Sequence, residues 1–146
     1  MCMLAAGLAD LDGLSILGGQ TAYETYHHTL AHNLIFAVVC SFMLAAFSPH
    51  RVKALLIYLA LMHLHLVMDL LGSGTDWDIR YFWPFSDHAT KIAFGWDFYS
   101  WQNILAAYSL VALTVLIANR AGRTPLEVLM PSLDRQLVGL VRRKRR

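Results

Sequence analysis

The sequence predicts an all-α fold: a small helical integral membrane protein with about three transmembrane helices, a short N-terminal half-helix and a C-terminal amphipathic helix. Four observations predict it. Hydrophobic residues make up 57% of the 146 positions and charged residues 15%, against about 45–50% and about 25% in a soluble domain. The mean hydropathy of +0.46 excludes a disordered chain. Three stretches approach the roughly 20 apolar residues that cross a bilayer. Finally, 12 Lys and Arg stand against 10 Asp and Glu, and the two signs are segregated along the chain.

The N-terminal segment Met3–Leu11 is apolar but far too short to span. It reads as a half-helix or re-entrant segment covered by protein, or as part of a fourth span begun upstream. It lacks the basic start of a cleavable signal peptide. The first full span is expected over Thr29–Phe47, the second over Val52–Leu71 and the third over Trp101–Ala118. Ser48-Pro49-His50-Arg51 turns the chain between the first two, Gly72-Ser73-Gly74 stops the second, and Asn119-Arg120-Ala121-Gly122 stops the third. These spans place a membrane-embedded region at 1–124.

Residues 125–146 form a second region. Leu126, Leu129, Met130, Leu133, Leu137 and Leu140 recur at helical spacing over Pro125–Val141, which predicts an amphipathic helix. The chain closes on Arg142-Arg143-Lys144-Arg145-Arg146. Such a run attracts anionic lipid at about 1 kcal/mol per basic residue near the surface, so membrane lipid is an expected partner. No nucleic-acid partner is expected. A homo-oligomer is compatible with so small a membrane protein.

Basic residues set orientation. Arg51 and Lys53 lie between spans one and two, and Arg120, Arg123 and the basic run follow span three. Residues 73–99 carry Asp76, Asp78, Asp87 and Asp97 against Arg80 and Lys91, and residues 1–28 carry Asp10, Asp12 and Glu24 with no base. A multi-pass protein of the bacterial inner membrane results, with its C-terminus cytoplasmic and the acidic segments extracytoplasmic. Cys2 and Cys40 are too dissimilar in setting to suggest a disulfide framework.

Ionisable groups inside spans are expensive and mark function. His32 falls near the start of span one, and His63, His65 and Asp69 in the outer half of span two. Asp10, Asp12, Glu24, His27 and His28 belong to the same membrane side. His65 and Asp69, at i and i+4, share a helix face. They can grip one cation, or Asp69 can orient His65. His63 sits about 160° away around the helix and reads as a packing or hydrogen-bonding residue. Glu24, His28 and His32 would share a face if span one began early. Imidazole and carboxylate donors without thiolate suit a divalent transition metal, with zinc or manganese the expected cofactor for redox-free hydrolysis. Serine-hydrolase, P-loop and His-Glu-x-x-His motifs are absent from the sequence. In the 73–99 loop, Trp77, Tyr81, Phe82, Trp83 and Phe85 suit an interfacial aromatic belt. Asp87-His88 could add a ligand, and Arg80 could meet an anionic group.

These motifs, Asp10-Leu-Asp-Gly13, Tyr26-His-His-Thr-Leu-Ala-His-Asn33, His65-Leu-Val-Met-Asp69 and Trp83-Pro-Phe-Ser86, stand in an order that resembles a bacterial inner-membrane family of metal-dependent hydrolases first associated with LexA regulation. The resemblance covers roughly residues 5–103. The family's Pro-Asp-x-Asp element falls on Ala9, Asp10, Leu11 and Asp12, with Ala in the place of Pro. Its His-Arg-x-x-Thr-His-Ser element falls on His27 to Asn33, where His28, Ala31 and Asn33 replace Arg, Thr and Ser. The resemblance implies His27 and His32 as metal ligands, where helical spacing selects His28 and His32. The fuller N-terminal helix usual in the family, often with a further His, is not matched.

The expected function is a membrane-bound metal-dependent hydrolase acting on a phosphoester or lipid-linked substrate at the extracytoplasmic face. His27, His32, His65, Asp69 and Asp12 are the expected metal ligands, and Asp10 and Asp12 the catalytic carboxylates, one of them a general base. The alternative is a non-catalytic membrane subunit whose His and Asp side chains make interhelical contacts. A small transporter would need oligomerisation to wall a pathway.

Overall fold

The computed structural model describes residues 1–75, 77–128 and 130–143, and the side chains of residues 125, 128 and 143 are outside that description. Asp76, Leu129 and the last three residues of the basic run therefore lie outside the described residues. The described chain is all-helical apart from one isolated bridge between Ile79 and Thr90. It divides into two units, Met1–Phe98 and Tyr99–Arg146.

The first unit begins with α1 (Cys2–Gly7), a 3-10 helix (Ala9–Gly18) and α2 (Gln20–Tyr26), followed by α3 (Leu34–Ala46) and α4 (Arg51–Gly72). The short N-terminal helix expected from Met3–Leu11 is present as α1. It lies against α3 and α4, with Ala5, Ala45, Ala54 and Tyr58 forming a buried cluster flanked by Leu44, Leu55 and Leu61. Small side chains at this contact let backbones approach closely, the usual solution where lipid removes the hydrophobic drive between helices. Ser41 and Met62, both fully buried, meet between α3 and α4.

Helix α3 starts five residues later than the expected start of span one at Thr29. The reason is local. The Asn33 side chain accepts the Phe36 N–H at 2.9 Å, and its amide donates to the carbonyls of Thr29 and Leu30, also at 2.9 Å. Asn33 is thus an N-cap that ends the preceding turn and begins the helix. At 13 residues, α3 is about 20 Å long at 1.5 Å per residue, shorter than the apolar core of a bilayer. Helices α4 and α5 are long and apolar enough to cross one. The shared face of Glu24, His28 and His32 does not form, because α2 ends at Tyr26 and His28 takes a left-handed backbone, φ 66°.

The 73–98 loop is pinned at both ends of the polar region. Trp96 N–H donates to the Leu71 carbonyl at 2.7 Å, and Gly74 N–H to the Trp96 carbonyl at 3.0 Å. Arg80 N–H donates to the His28 carbonyl, and Leu34 N–H to the Tyr81 carbonyl. Gly95 passes so close to α4 that a Cβ there would sit 3.0 Å from the Leu70 carbonyl oxygen. Ile79 is buried with Ala9 and Leu66, so the loop, the 3-10 helix and α4 share a second core.

In the second unit, α5 (Trp101–Ala121) ends at Gly122, whose φ of 72° and N–H to the Ala118 carbonyl make a left-handed stop. The amphipathic segment expected as one helix over Pro125–Val141 is split into a short 3-10 turn (Pro125–Val128) and α6 (Pro131–Arg143). Pro131 imposes the break. It has no N–H and its ring excludes the preceding helical turn, so it is tolerated only at a helix start. Asp134 is buried and accepts both the N–H and the hydroxyl of Thr124, each at 2.6 Å.

Candidate metal centre

Asp10 and Asp12 come from the 3-10 helix, His27, His28 and His32 from the turn between α2 and α3, and His65 and Asp69 from the last third of α4. The fold therefore gathers residues from three segments into one polar cluster. Asp12 is its internal strut. The side chain is 1% exposed. Oδ1 accepts from His27 Nδ1 at 2.8 Å, and Oδ2 accepts from His32 Nδ1 at 2.9 Å and from the Ala31 N–H at 3.0 Å. Burial would raise the Asp12 carboxyl, but the bonds from His27 and His32, the His32 charge and the Ala31 N–H outweigh it. The carboxyl is held well below the usual range and stays ionised.

The proton on His32 Nδ1 decides what the other side of that ring can do. On a neutral ring Nε2 then carries a lone pair, and it lies 3.1 Å from Asp69 Oδ2. A lone pair facing a carboxylate oxygen at that distance requires a cation between them, either a proton or a metal ion. The same Asp69 oxygen is 3.1 Å from His65 Nε2, which in turn is 3.3 Å from Asp10 Oδ1. His65 Nε2 is thus buried and shared between two carboxylates, with Asp69 the nearer. Four donor atoms at 2.0–2.1 Å from a tetrahedral ion would be about 3.3 Å apart. The separations of 3.1, 3.1 and 3.3 Å are of that order, as they are of N–H···O hydrogen bonds.

Three donor groups compact enough to hold a metal ion emerge from this cluster: Asp10, His32 and His65; Asp12, His27 and His32; and His28, His32 and Asp69. His32, fully buried, belongs to all three. The residues present thus fit a divalent metal, by donor chemistry and by spacing. Asp10 is the open edge, its side chain 63% exposed, whereas His65 and Asp69 are 17% and 22% exposed.

His63 is turned away from the cluster. Its Nδ1 donates to the Leu59 carbonyl and its Nε2 accepts from the Tyr81 hydroxyl, both at 2.8 Å. Asp87 and His88 are exposed and belong to none of the three donor groups. Phe82, Phe85 and Trp77 are exposed as an aromatic belt requires, but Trp77 also packs on the site's imidazoles and Tyr81 meets His63. Trp77 lies across the His28 ring at 4.6 Å and meets the edge of His27 at 5.6 Å.

An open cleft of about 350 Å³ adjoins the cluster, walled by Tyr23, Glu24, His27, His28, Trp77 and Asp78. A neighbouring hollow of about 260 Å³ adds Thr25, Thr29 and Arg80. Burial, followed by the neighbouring His32 and His27 charges, pushes the His28 imidazole down to about 4, so it is neutral near pH 7.

Two features were missed by sequence reasoning. Asn33 stands directly before a long apolar run, which is an N-cap signal. Reading it would have taken His32 off the helix. The strut role of Asp12 had no sequence signal, since it depends on a contact across 20 residues.

Residues 1–142 match the YdjM inner membrane protein family, and the chain belongs to it. This agrees with the inner-membrane family that the motifs resemble. With two long apolar helices, the chain is an inner-membrane protein. Neither the curated proteins nor the solved structures offer a match.

Proposed function

We propose that the protein is a metal-dependent hydrolase whose centre is held by His32, His65 and Asp69, with Asp10 at its open edge. The observation that carries this reading is the convergence of two imidazoles on two carboxylates: Asp69 Oδ2 lies 3.1 Å from both His32 Nε2 and His65 Nε2, and His65 Nε2 lies 3.3 Å from Asp10 Oδ1. A bound zinc or manganese ion would supply Lewis acidity, bringing a water toward a pKa of about 7 and polarising the scissile group.

The chain's own residues do the rest. Asp12 holds His32 in the tautomer that leaves Nε2 free, the carboxylate–histidine arrangement that orients metal-binding imidazoles. Its two oxygens are already engaged by His27, His32 and Ala31, so it positions ligands and Asp10 is the better general base. His27, tied to Asp12 through Nδ1, forms the wall between centre and cleft. Arg80 in the adjoining hollow suits an anionic group, which favours a phosphoester, lipid-linked or free. The experiment is elemental analysis of protein purified without chelator or His tag, together with hydrolysis of bis(p-nitrophenyl) phosphate. Stoichiometric metal and a rate abolished in His65→Ala are expected. No metal, and equal rates in both proteins, would sink the reading.

The site faces the extracytoplasmic side, and the protein is multi-pass. Arg51 and Lys53 begin α4 while His65 and Asp69 lie near its other end, and basic flanks stay in the cytoplasm. In a Cys2→Ser, Cys40→Ser background, Asp87→Cys should react with a membrane-impermeant thiol reagent in intact cells and Arg142→Cys should not. The opposite labelling pattern would reverse the topology.

A further inference from the structure

We infer that His28 is a further protein donor to the metal centre, its imidazole joining that of His32 and the Asp69 carboxylate. The inference rests on the proposed metal reading and goes beyond the motif, in which an Arg stands where this chain has His28.

Four observations carry it. His28 is 6% exposed, and its Nδ1 is buried with no hydrogen-bond partner among the described residues. A buried polar nitrogen left unpaired is costly and calls for an explanation such as a ligand. A donor atom of His28 lies within 4.8 Å of donor atoms of both His32 and Asp69, and those two are themselves 3.1 Å apart across the proposed centre. The ring is fixed between His32, 4.4 Å away centroid to centroid, and Trp77 at 4.6 Å, so it cannot swing out to find another partner without unpacking both. The backbone is held in place too. The Thr29 and Leu30 N–H groups both donate to the Tyr26 carbonyl, and the His28 carbonyl accepts from Arg80. These contacts over-determine a left-handed conformation that a histidine rarely adopts.

A donor set richer in imidazole has a chemical consequence. Imidazole suits zinc, whereas carboxylate and water suit manganese. With His28 included, the centre should prefer zinc over manganese, and removing His28 should narrow that preference.

The test is zinc, manganese and cobalt binding to the full chain in detergent, by competition with a chromophoric chelator. His28→Asn and His28→Gly both tolerate the left-handed backbone, so a role confined to backbone or packing would leave binding intact. Both should lower zinc affinity on the order of 100-fold, the upper end of the loss from removing an outer partner of a ligand. Both should lower manganese affinity less and shift the visible absorption of the cobalt form. The exposed His88→Asn should change nothing. Wild-type zinc affinity and an unshifted cobalt spectrum in His28→Asn would overturn the inference while leaving the metal reading standing. A wild type that takes up no metal would overturn both. If neither variant folds, X-ray absorption of zinc-loaded wild type decides: three imidazoles support the inference and two overturn it.

Discussion

Helices α4 and α5 are nearly equal in length, 22 and 21 residues, and both are apolar enough to cross a membrane. They differ in what they bury. In α4, 22% of the apolar window is inside the protein, against 6% in α5. Helix α4 packs against α1, α3 and the 3-10 helix and carries His63, His65 and Asp69. Helix α5 has only Ala118 buried and no Asp, Glu or His along its length. Ionisable residues survive in an apolar helix only where other protein groups meet them. In α4 each is met: His63 by Tyr81, and His65 and Asp69 by Asp10 and His32. Within its own unit each helix is distinct: α4 brings ionisable side chains to partners, and α5 presents an apolar surface.

The largest effects that could break this contrast lie at the end of α4. His65→Gln and Asp69→Asn should each lower metal affinity by at least about 100-fold, and the double variant should lose little more, because residues serving one centre act as a unit. Isothermal titration of the four proteins with zinc measures it. Additive losses would mean that the two residues serve different ions, and unchanged binding in both would reduce α4 to a second lipid-facing helix.

Much of α4 was legible in the sequence. Helical spacing alone puts His65 with Asp69 and turns His63 away, and the structure has that geometry because a regular helix fixes it. The all-helical architecture was legible too, since apolar stretches near 20 residues leave few alternatives. The turn from His27 to Asn33 was not. It is set by one cap side chain, by a left-handed residue and by a carboxylate 20 positions away, none of which follows a period. Where periodicity ruled, as at His65, residues were placed correctly; where tertiary contacts ruled, as at His28, the helical face drawn from spacing does not exist. The same limit applies in the tail, where Pro131 cut a stripe that spacing alone had joined.

A smaller effect belongs to the strut beneath the site. Asp12→Asn keeps the shape but can accept on only one atom, so His27 and His32 can no longer both donate to it. Metal affinity should fall about 10–100-fold, less than for loss of His65. A chelator competition assay on the purified variant gives the number. A loss as large as that of His65→Gln would make Asp12 a direct ligand, and no loss would remove it from the site.

Third in size is His63→Gln, which sharpens the contrast within α4 itself. The substitution leaves the metal in place and weakens the tie to Tyr81, so the cost should be about 1 kcal/mol in denaturant unfolding, the usual worth of one hydrogen bond. Zinc stoichiometry must stay at the wild-type value. An emptied site would show that α4 is unwound near His63 and that the face carrying His65 and Asp69 has been drawn wrongly.

The smallest effect is expected on α5. Leu110 is 64% exposed, and trimming an exposed apolar side chain usually changes stability by no more than about 0.5 kcal/mol. In a membrane the removed methyl groups are replaced by lipid, which is as apolar as the leucine. So Leu110→Ala should leave unfolding within that margin and metal affinity unchanged. The matched substitution on α4, Leu66→Ala, removes a side chain only 4% exposed and packed with Ala9 and Ile79. It should cost about 2–5 kcal/mol, the usual range for emptying a buried leucine site. Measuring both by the same detergent unfolding assay gives the contrast as one difference. A Leu110→Ala loss as large as that of Leu66→Ala would mean that α5 is covered by protein in the membrane, and it would then belong with α4 as a packing helix.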